Sequence, residues 1–576
     1  MERMTPEKFF CGTTATATGF RALWHRVEPF TAFGREAKGL VKPYMPGQEQ
    51  ALDSELAEVE GAVSAWRRSP RVFQAMCGCM SQMKDLRGSV AKAGVGGILD
   101  SIELFEIKQM CLSVSQLRRL LDDSGWAYPE DVKPPSLDDL KPVLDPKRRG
   151  DRSLYIDEAF SSKLGQIRHD KRLKEKAYRE KMGEIRGSVS AALGLPVNFR
   201  NEVLVSMADD DVLRRASAHP SLTHVRDSAG YSYFRVREDA EATSILDELD
   251  ALKQEEYLEE EHVRRKLSRE IGKRASILNS VMAHVGRLDF LLAKASLAED
   301  LDCVRPVLIP GNGEAGDVTL ILEDGRNPLV EEVLEKKGNT FTPVSIRLKR
   351  GATVITGPNM GGKTVTLKTL GLLVAMAQHG LLVPARSFSF SLRGFIYFSA
   401  LEDGQSIGLS SFGMEVAGLK PVLKRVDDRG LILLDEFSRG TNPREGFALS
   451  AAVLGHLKET NSTTVFATHY DGLAATGGVA HWQVRGLAGV RPADVAAASL
   501  TGSGLEWLQK NMDYRLQRAG RDVEAPKDAL VVARLLGLDD DVLCLAEGII
   551  GEKRRKRRVV DGHGLRSGSG VRRTAD

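Results

Sequence analysis

The stretch "TGPNMGGKT", Thr356–Thr364, follows the apolar run Ala352–Ile355 and runs into "TVTLKTLGLLVAMAQ", a helical pattern. Gly357, four residues, then Gly362-Lys363-Thr364 match the phosphate-loop spacing G-x-x-x-x-G-K-[ST]. Each residue type has a physical task. Glycines permit turns that aim successive backbone N–H groups at phosphate oxygens, and a helix starting at Lys363 adds its positive end. Lys363 is placed to reach the β and γ phosphates of ATP, and the Thr364 hydroxyl to coordinate Mg²⁺.

About seventy residues downstream, "RGLILLDEFSRGTN" carries four apolar residues, Leu431–Leu434, into Asp435-Glu436. An acidic pair closing a buried strand beside a phosphate loop divides two roles. Asp435 supports the Mg²⁺ shell, and Glu436 orients and activates the attacking water as a general base. A third strand, "TTVFATHY", ends in His469, placed to sense or stabilise the γ phosphate. Between loop and acidic strand lies "EDGQSIGLSSFGMEVAGL". There Ser410 and Ser411 precede Phe412-Gly413 and a helical pattern, so the serines either donate to phosphate or simply cap the helix.

Outward from this block, strands alternate with helices: "VTLILEDG", "SIRLKRGATVITG", "LILLDEF", "TTVFATH". That texture predicts a parallel sheet with crossover helices from about Pro306 onward. Upstream, "EDAEATSILDELDALKQEEYLEEEHVRRKLSREIGKRASILNSVMAHVGRLDFLLAKASLA" contains no proline. Val263, Leu267, Ile271, Ala275 and Leu278 trace a narrow stripe among alternating charges, which predicts one long, partly exposed helix suited to an arm or lever, with an ordinary helical hairpin as the alternative. Residues 98–126 and 151–193 are helical in pattern, 129–149 read as a loop, and 198–237, with "AGYSYFRV" as a strand, as a small α+β insertion. Residues 1–95 mix short apolar groups with Gly and Pro and show no chemistry, so their role is unknown.

The 576 residues suffice for three or four domains, and 42% hydrophobic with 28% charged content fits a soluble globular chain. A net charge of +3 creates no global field for a polyanion. Two local stretches are basic: the helix over 163–186 and "KRRKRR", Lys553–Arg558, inside a Gly/Ser-rich tail over 552–576 that predicts disorder. Six scattered cysteines make no disulfide framework and read as reduced thiols. With no signal-peptide pattern and no apolar run long enough to span a bilayer, the expected location is cytoplasmic and no membrane partner is expected.

These residues resemble the MutS-type ATPases, relatives of the ABC ATPases. "TGPNMGGKT" is similar to that family's phosphate loop nearly letter for letter, "LSSFGMEV" to its serine signature, "DEFSRGTNPREG" to its acidic strand and following loop, and "FATHY" to its histidine switch. "GRNPLVEEVL" and "NTFTPVSIRL" resemble its entry to the ATPase domain, and Phe341 matches the adenine-stacking aromatic. "DALVVARLLGLDDDVLCLAEGII" resembles the helical end of that domain. The resemblance implies an α/β P-loop ATPase domain over 301–551, ABC-like with a parallel sheet and crossover helices. It would be joined to a mainly α-helical core, lever and clamp region over 96–300. It further implies nucleotide contacts from Phe341, Gly357, Pro358, Asn359, Met360, Gly361, Gly362, Lys363, Thr364, Thr366, Ser410, Ser411 and Gly413. Thr364 and Asp435 would hold the metal, with Lys363, Glu436 and His469 in the catalytic roles.

"GKTVTLKTLGLL", "GQSIGLSSF", "NPREG" and "LDFLLAKASLA" look more like the branch not dedicated to mismatch repair. No Phe-x-Glu motif inside a mismatch-reading domain is found. "VDGHGLRSGSG" echoes the Smr nuclease pattern, yet roughly 25 residues follow Ile550, too few for such a domain, so nuclease activity is not expected.

The resemblance implies a homodimer that sandwiches ATP between one subunit's phosphate loop and the other's signature serines. The physics agrees, since one phosphate loop leaves a face of the γ phosphate open. The expected activity is an ATP-gated clamp on duplex or branched DNA, related to mismatch repair or recombination. The alternative is an ATPase that remodels a protein client such as a cobalamin-dependent amino-acid mutase. A transporter-associated ATPase fits less well, because the Leu-Ser-Gly-Gly-Gln run is missing.

Overall fold

The computed structural model describes residues 9–147, 156–310, 317–358, 361–399, 411–470, 472–475, 478–487, 504–520, 529–535 and 537–549. The basic tail from 552 lies outside them, as do Asn359, Met360 and Ser410.

The N-terminal part, which the sequence left without a pattern, is helical throughout. Its helices are α1 (Gly12–Ala17), α2 (Phe20–Arg26), α3 (Ala32–Leu40), α4 (Glu49–Arg68), α5 (Pro70–Ser81) and α6 (Arg87–Gly94). Helix α7 (Ser101–Asp123) opens with a capping box in which Asp100 and Glu103 each accept from the other's backbone N–H. Short α8 (Lys141–Leu144) lies inside the expected loop, and α9 (Ser162–Leu193) follows. The α+β insertion takes shape as β1 (Glu202–Ser206), α10 (Asp210–Ala218), β2 (Leu222–Ser228) and β3 (Tyr231–Val236), an antiparallel sheet in the order β1-β3-β2.

The single long helix expected next is two: α11 (Ala240–Gly272) and α12 (Ala275–Asp300). The break has a packing cause. A Cβ on Gly272 would lie 2.3 Å from the Ala93 carbonyl oxygen, so the end of α11 presses bare backbone against α6. The apolar stripe itself is real, with Val263, Leu267, Ile271 and Leu278 all buried.

The face of α9 that carries Lys163, Arg168, Lys171, Lys174 and Lys181 is not a free surface. Arg168 pairs with Glu256 (2.6 Å) and Glu260 (2.5 Å), and Lys171 with Glu256 (2.7 Å), all from α11. Lys163 lies 3.7 Å from Glu259, Lys174 pairs with Glu248, and Lys181 pairs with Asp239 (3.2 Å) and Glu241. Charges that stand out in the sequence as a basic stretch are, at these positions, an ion-paired seam between two antiparallel helices. The spacing shows a run of lysines, and only packing shows what faces it.

Beyond α12 come β4 (Val307–Leu308), β5 (Val318–Gly325), α13 (Pro328–Glu335), β6 (Val344–Lys349), β7 (Gly351–Thr356) and α14 (Lys363–Gln378). These are followed by β8 (Ser387–Phe390), β9 (Ile396–Ser399), α15 (Ser411–Leu423), β10 (Leu431–Asp435), α16 (Pro443–Leu457), β11 (Thr463–Thr468), β12 (Ala480–Gly486) and β13 (Asp513–Arg518). The main sheet runs β13-β12-β7-β11-β10-β9, with β12, β7, β11, β10 and β9 parallel and β13 antiparallel at its edge. "VTLILEDG" and "SIRLKR" do form strands, but outside that sheet. As β5 and β6 they pair antiparallel in a second sheet of order β4-β8-β5-β6.

Strands covered on both faces read as unbroken apolar runs, and alternate side chains then sort into two cores. Ile355, Leu431, Leu433, Val465 and Ala467 point to the side shared with α14. Val354, Ile432, Leu434 and Phe466 point to the side shared with α16. The first core continues without interruption through α14 and α12 into α2, α4, α5 and α7, passing residue 95 with no break. Arg393, completely buried, ties the two sheets together by donating to the Thr463 hydroxyl and the Thr319 carbonyl, each at 2.8 Å. That burial pushes its pKa down to about 9.

Candidate functional site

β7 is the third strand of the main sheet and buried along its whole length, so its C-terminal end delivers the glycine loop to one fixed place. Gly357 has φ +156°, and a Cβ there would lie 2.8 Å from the Val484 Cβ on β12. Gly361 N–H donates to the Pro358 carbonyl at 3.0 Å. Gly362, at φ +81° in the left-handed region, opens α14, and its Cβ would come within 3.2 Å of the Tyr514 ring.

Lys363 is 4% exposed. Its Nζ donates to the carbonyls of Gly357 and Pro358, each at 2.9 Å, and lies 3.8 Å from Glu436 Oε1. Burial pushes the lysine pKa down, with Glu436 opposing. The ammonium is thus held over the loop's mouth by two neutral oxygens, with the Glu436 carboxylate as a longer ion-pair partner at 3.8 Å.

The acidic strand β10 is separated from β7 by β11, yet its end reaches the loop. The Thr364 hydroxyl donates to Asp435 Oδ2 at 2.7 Å, while the buried Asp435 Oδ1 has no hydrogen-bond partner. Burial pushes the Asp435 carboxyl up, with the Thr364 contact opposing. A hydroxyl beside a carboxylate with one oxygen uncommitted is a hard-oxygen donor pair of the kind Mg²⁺ takes, along with substrate phosphates and water. The residues fit that ion.

Glu436 sits at φ +48°, its N–H bonded to the Ala467 carbonyl at 2.9 Å. A non-glycine residue in the left-handed region is held there by its surroundings, and this turn aims the carboxylate off the strand axis toward Lys363. His469 Nδ1 lies 3.7 Å from one Glu436 oxygen and Arg439 3.3 Å from the other. His469, then Lys363 and Arg439, hold the Glu436 carboxyl below the usual carboxylate range, so it is ionised and able to accept a proton. His469, 41% exposed, meets the site through Glu436.

Phe341, Gly361, Gly362, Thr364, Thr366 and Asp435 line one cavity of ≈ 1030 Å³, together with Lys363 and Glu436. That is the upper end of the size range for small-ligand sites. Thr366 directs its hydroxyl to the Gly362 carbonyl at 3.2 Å. Ser411 is the first residue of α15 and Gly413 lies in its first turn. The helix is tied to the acidic strand's loop, since Ser438 N–H donates to Glu415 at 2.8 Å.

Several lining residues carried no readable signal. Tyr514 comes from edge strand β13, Lys368 sits one turn beyond Thr364, and Thr16 and Ala17 come from the far N-terminus. Arg439 lay inside the quoted acidic motif, and its charge beside Glu436 was the available clue.

A parallel sheet whose buried strand feeds a glycine loop and a helix, set among many helices, defines a mixed α/β protein. MutS domain V matches residues 353–487, the span that contains the loop, the acidic strand and His469. Endonuclease MutS2 of Geobacillus thermodenitrificans (strain NG80-2) is 31% identical over 411 residues, covering 68% of this chain and 50% of the relative. Endonuclease MutS2 of Alkaliphilus metalliredigens (strain QYMF) is 29% identical over 468 residues, covering 77% of this chain and 54% of the relative. The chain belongs to the MutS family, and the branch of the relatives named MutS2 fits it. It spans about half the length of the curated relatives it matches. Among the described residues no helix is long and apolar enough to cross a membrane.

Proposed function

We propose that this chain is an ATP-hydrolysing MutS-type protein whose 301–551 part is a P-loop ATPase domain and whose helices over 96–300 act as core, lever and clamp. The carrying observation is the Thr364–Asp435 contact at 2.7 Å beside a buried Lys363 that has no carboxylate within hydrogen-bond reach. Lys363 and the loop's N–H groups bind the β and γ phosphates of ATP, replacing the carbonyl contacts of the lysine with charge-assisted ones. Thr364 and Asp435 hold Mg²⁺, which supplies neutralisation of developing phosphate charge. Glu436, kept ionised by its cationic neighbours, orients the attacking water and takes its proton. His469 positions Glu436 from behind. Phe341 offers a flat apolar wall to the adenine.

The proposed assembly is a homodimer in which the start of α15, with Ser410, Ser411 and Gly413, closes the partner's site. ATP then favours the closed pair, and the difference in affinity between open and closed states is the free energy available to move the arms. The proposed partner is DNA, in keeping with the relatives' name of endonuclease. The paired α9 contributes little to that contact, and the cluster Lys553–Arg558 carries more of it.

The test is direct. Lys363→Ala lowers ATP turnover in the full chain by about 10²–10³-fold, and Mg²⁺ chelation suppresses it likewise. Retained turnover in the variant overturns the site. DNA binding titrated against salt tests the partner: affinity that falls steeply with salt supports DNA, and no binding to any duplex or branched DNA at low salt rejects it.

A further inference from the structure

The cavity at the phosphate loop has a wall that comes from the other end of the chain. Thr16 and Ala17 of α1 line it together with Thr364, Lys368, Ser399 and Asp435. Thr16 is exposed there and Ala17 half-buried. The segment does not merely pass by. Ile396 N–H, on edge strand β9, donates to the Phe9 carbonyl at 2.8 Å, and Phe398 N–H donates to the Thr14 hydroxyl at 3.3 Å. The next residue on β9, Ser399, accepts the Asp435 N–H at 2.9 Å. So α1 is fastened to the same strand end that fixes the acidic residue.

The segment also grips α14, the helix that begins at Lys363. A Cβ on Gly371 of α14 would lie 2.7 Å from the Thr18 methyl, so α1 and α14 touch where only glycine fits. At the far end of α14, His379 is packed by Phe9, Phe10, Phe20 and Trp24, with ring centroids 5.9, 5.8, 4.5 and 5.6 Å away. Gly19 abuts Leu329 of α13, and Arg26 pairs two-pronged with Glu332, one contact at 2.8 Å. Val330 and Leu334 of the same α13 also line the cavity.

From there the chain leads to α12. Trp24 meets Phe290 at 6.2 Å. The fully buried Asp289 accepts from Phe30 N–H (3.0 Å), Thr31 N–H (2.7 Å) and the Thr31 hydroxyl (2.6 Å) at the start of α3. One continuous set of packed groups thus runs from the cavity wall through residues 9–31 to the middle of α12.

We propose that Phe9–Arg26 is part of the nucleotide site: Thr16 and Ala17 form part of its wall, and docking of this segment is coupled to nucleotide binding, which passes the state of the site to α12. This rests on the ATP reading of the cavity. A contact of this kind carries coupling only if nucleotide binds the docked arrangement better than the undocked one, and such coupling is reciprocal. Whatever ATP does to the segment, the segment does to ATP.

The experiment uses the full chain with Mg²⁺ and ATP. Ala17→Trp places an indole in the cavity wall and weakens ATP binding by about tenfold or more. Leu40→Trp, at an exposed position outside the segment and the cavity lining, binds as the unaltered protein does. Hydrogen exchange at residues 9–26 slows several-fold on ATP addition in the unaltered protein and not in Lys363→Ala. If the unaltered protein binds no ATP, the nucleotide reading itself falls and takes this inference with it. If it binds ATP while a folded Ala17→Trp binds equally well, the wall assignment alone is overturned. Should Ala17→Trp fail to fold, the exchange measurement decides: unchanged exchange at saturating ATP rejects the coupling.

Discussion

Lys363 and the lysines of α9 are the same residue put to opposite uses. On α9, Lys171 meets Glu256 at 2.7 Å across a solvent-facing seam, and its charge is satisfied within the chain. At the loop, Lys363 is buried, bonded to two neutral carbonyls, and 3.8 Å from its closest carboxylate. A buried cation met only by neutral carbonyls and one carboxylate at 3.8 Å is held at a free-energy cost that an incoming anion relieves, whereas a closely paired cation has little left to offer. Charge density along a sequence therefore says less about binding than how completely each charge is already met.

The contrast breaks first at the loop. Lys363→Ala is expected to lower ATP turnover by about 10²–10³-fold, the scale of losing one preorganised charge-stabilising donor. Steady-state phosphate release measures it, and a fall of less than tenfold would place catalysis elsewhere.

The buried side offers a second contrast through His379 at the end of α14. Burial, with Lys294 nearby, pushes its pKa from 6.5 down to about 4, against the hydrogen bond to the Ala375 carbonyl. A folded-state pKa below the unfolded value means the unfolded chain takes up the proton first. Stability contributed by the neutral ring is complete above pH 6.5 and falls as the pH drops toward 4, by roughly 3 kcal/mol at most. Urea midpoints across that window should show the fall, and His379→Leu should flatten it. An equal slope in both proteins excludes this histidine as its source.

Glu436→Gln sharpens the division of labour at the acidic strand. Hydrolysis should slow by about 100-fold while ATP affinity stays within a few-fold, because the amide keeps the shape and loses the base. Single-turnover kinetics separate the two, and a matching loss of affinity would make Glu436 a binding group instead.

The smallest effect belongs to the arm. A double-mutant cycle on Arg168 and Glu256 should yield a coupling of about 1 kcal/mol that shrinks with salt. Lys171→Gln should leave DNA affinity unchanged; a clear drop would mean that the seam opens to bind DNA.

The readable parts of this molecule are those where chemistry demands particular residues at particular spacings. Gly357, Gly362-Lys363-Thr364 and Asp435-Glu436 needed no partner to be recognised, and β7, β10 and β11 announced themselves as runs of apolar residues buried on both faces. The antiparallel sheet of β5 and β6 was misassigned because a strand's pattern records burial and period but not which strand lies beside it. Helices α1 to α6 escaped notice for a related reason. Most are short and carry glycines, of which Gly34 is pressed close by Asp289 of α12 while a Cβ on Gly39, Gly78 or Gly88 would meet no neighbour within 4 Å.

Local sequence was enough to specify the loop, the acidic pair and the family they belong to, since backbone turns and phosphate chemistry act over a few residues. Which residues complete the cavity was decided only by long-range packing. Thr16 and Tyr514 stand almost five hundred positions apart, and nothing in either neighbourhood distinguishes them until the two ends of the chain fold against the same helix. The neutralisation of α9 was decided the same way, because an ion pair between helices depends on which faces meet, and that is a property of the folded chain alone.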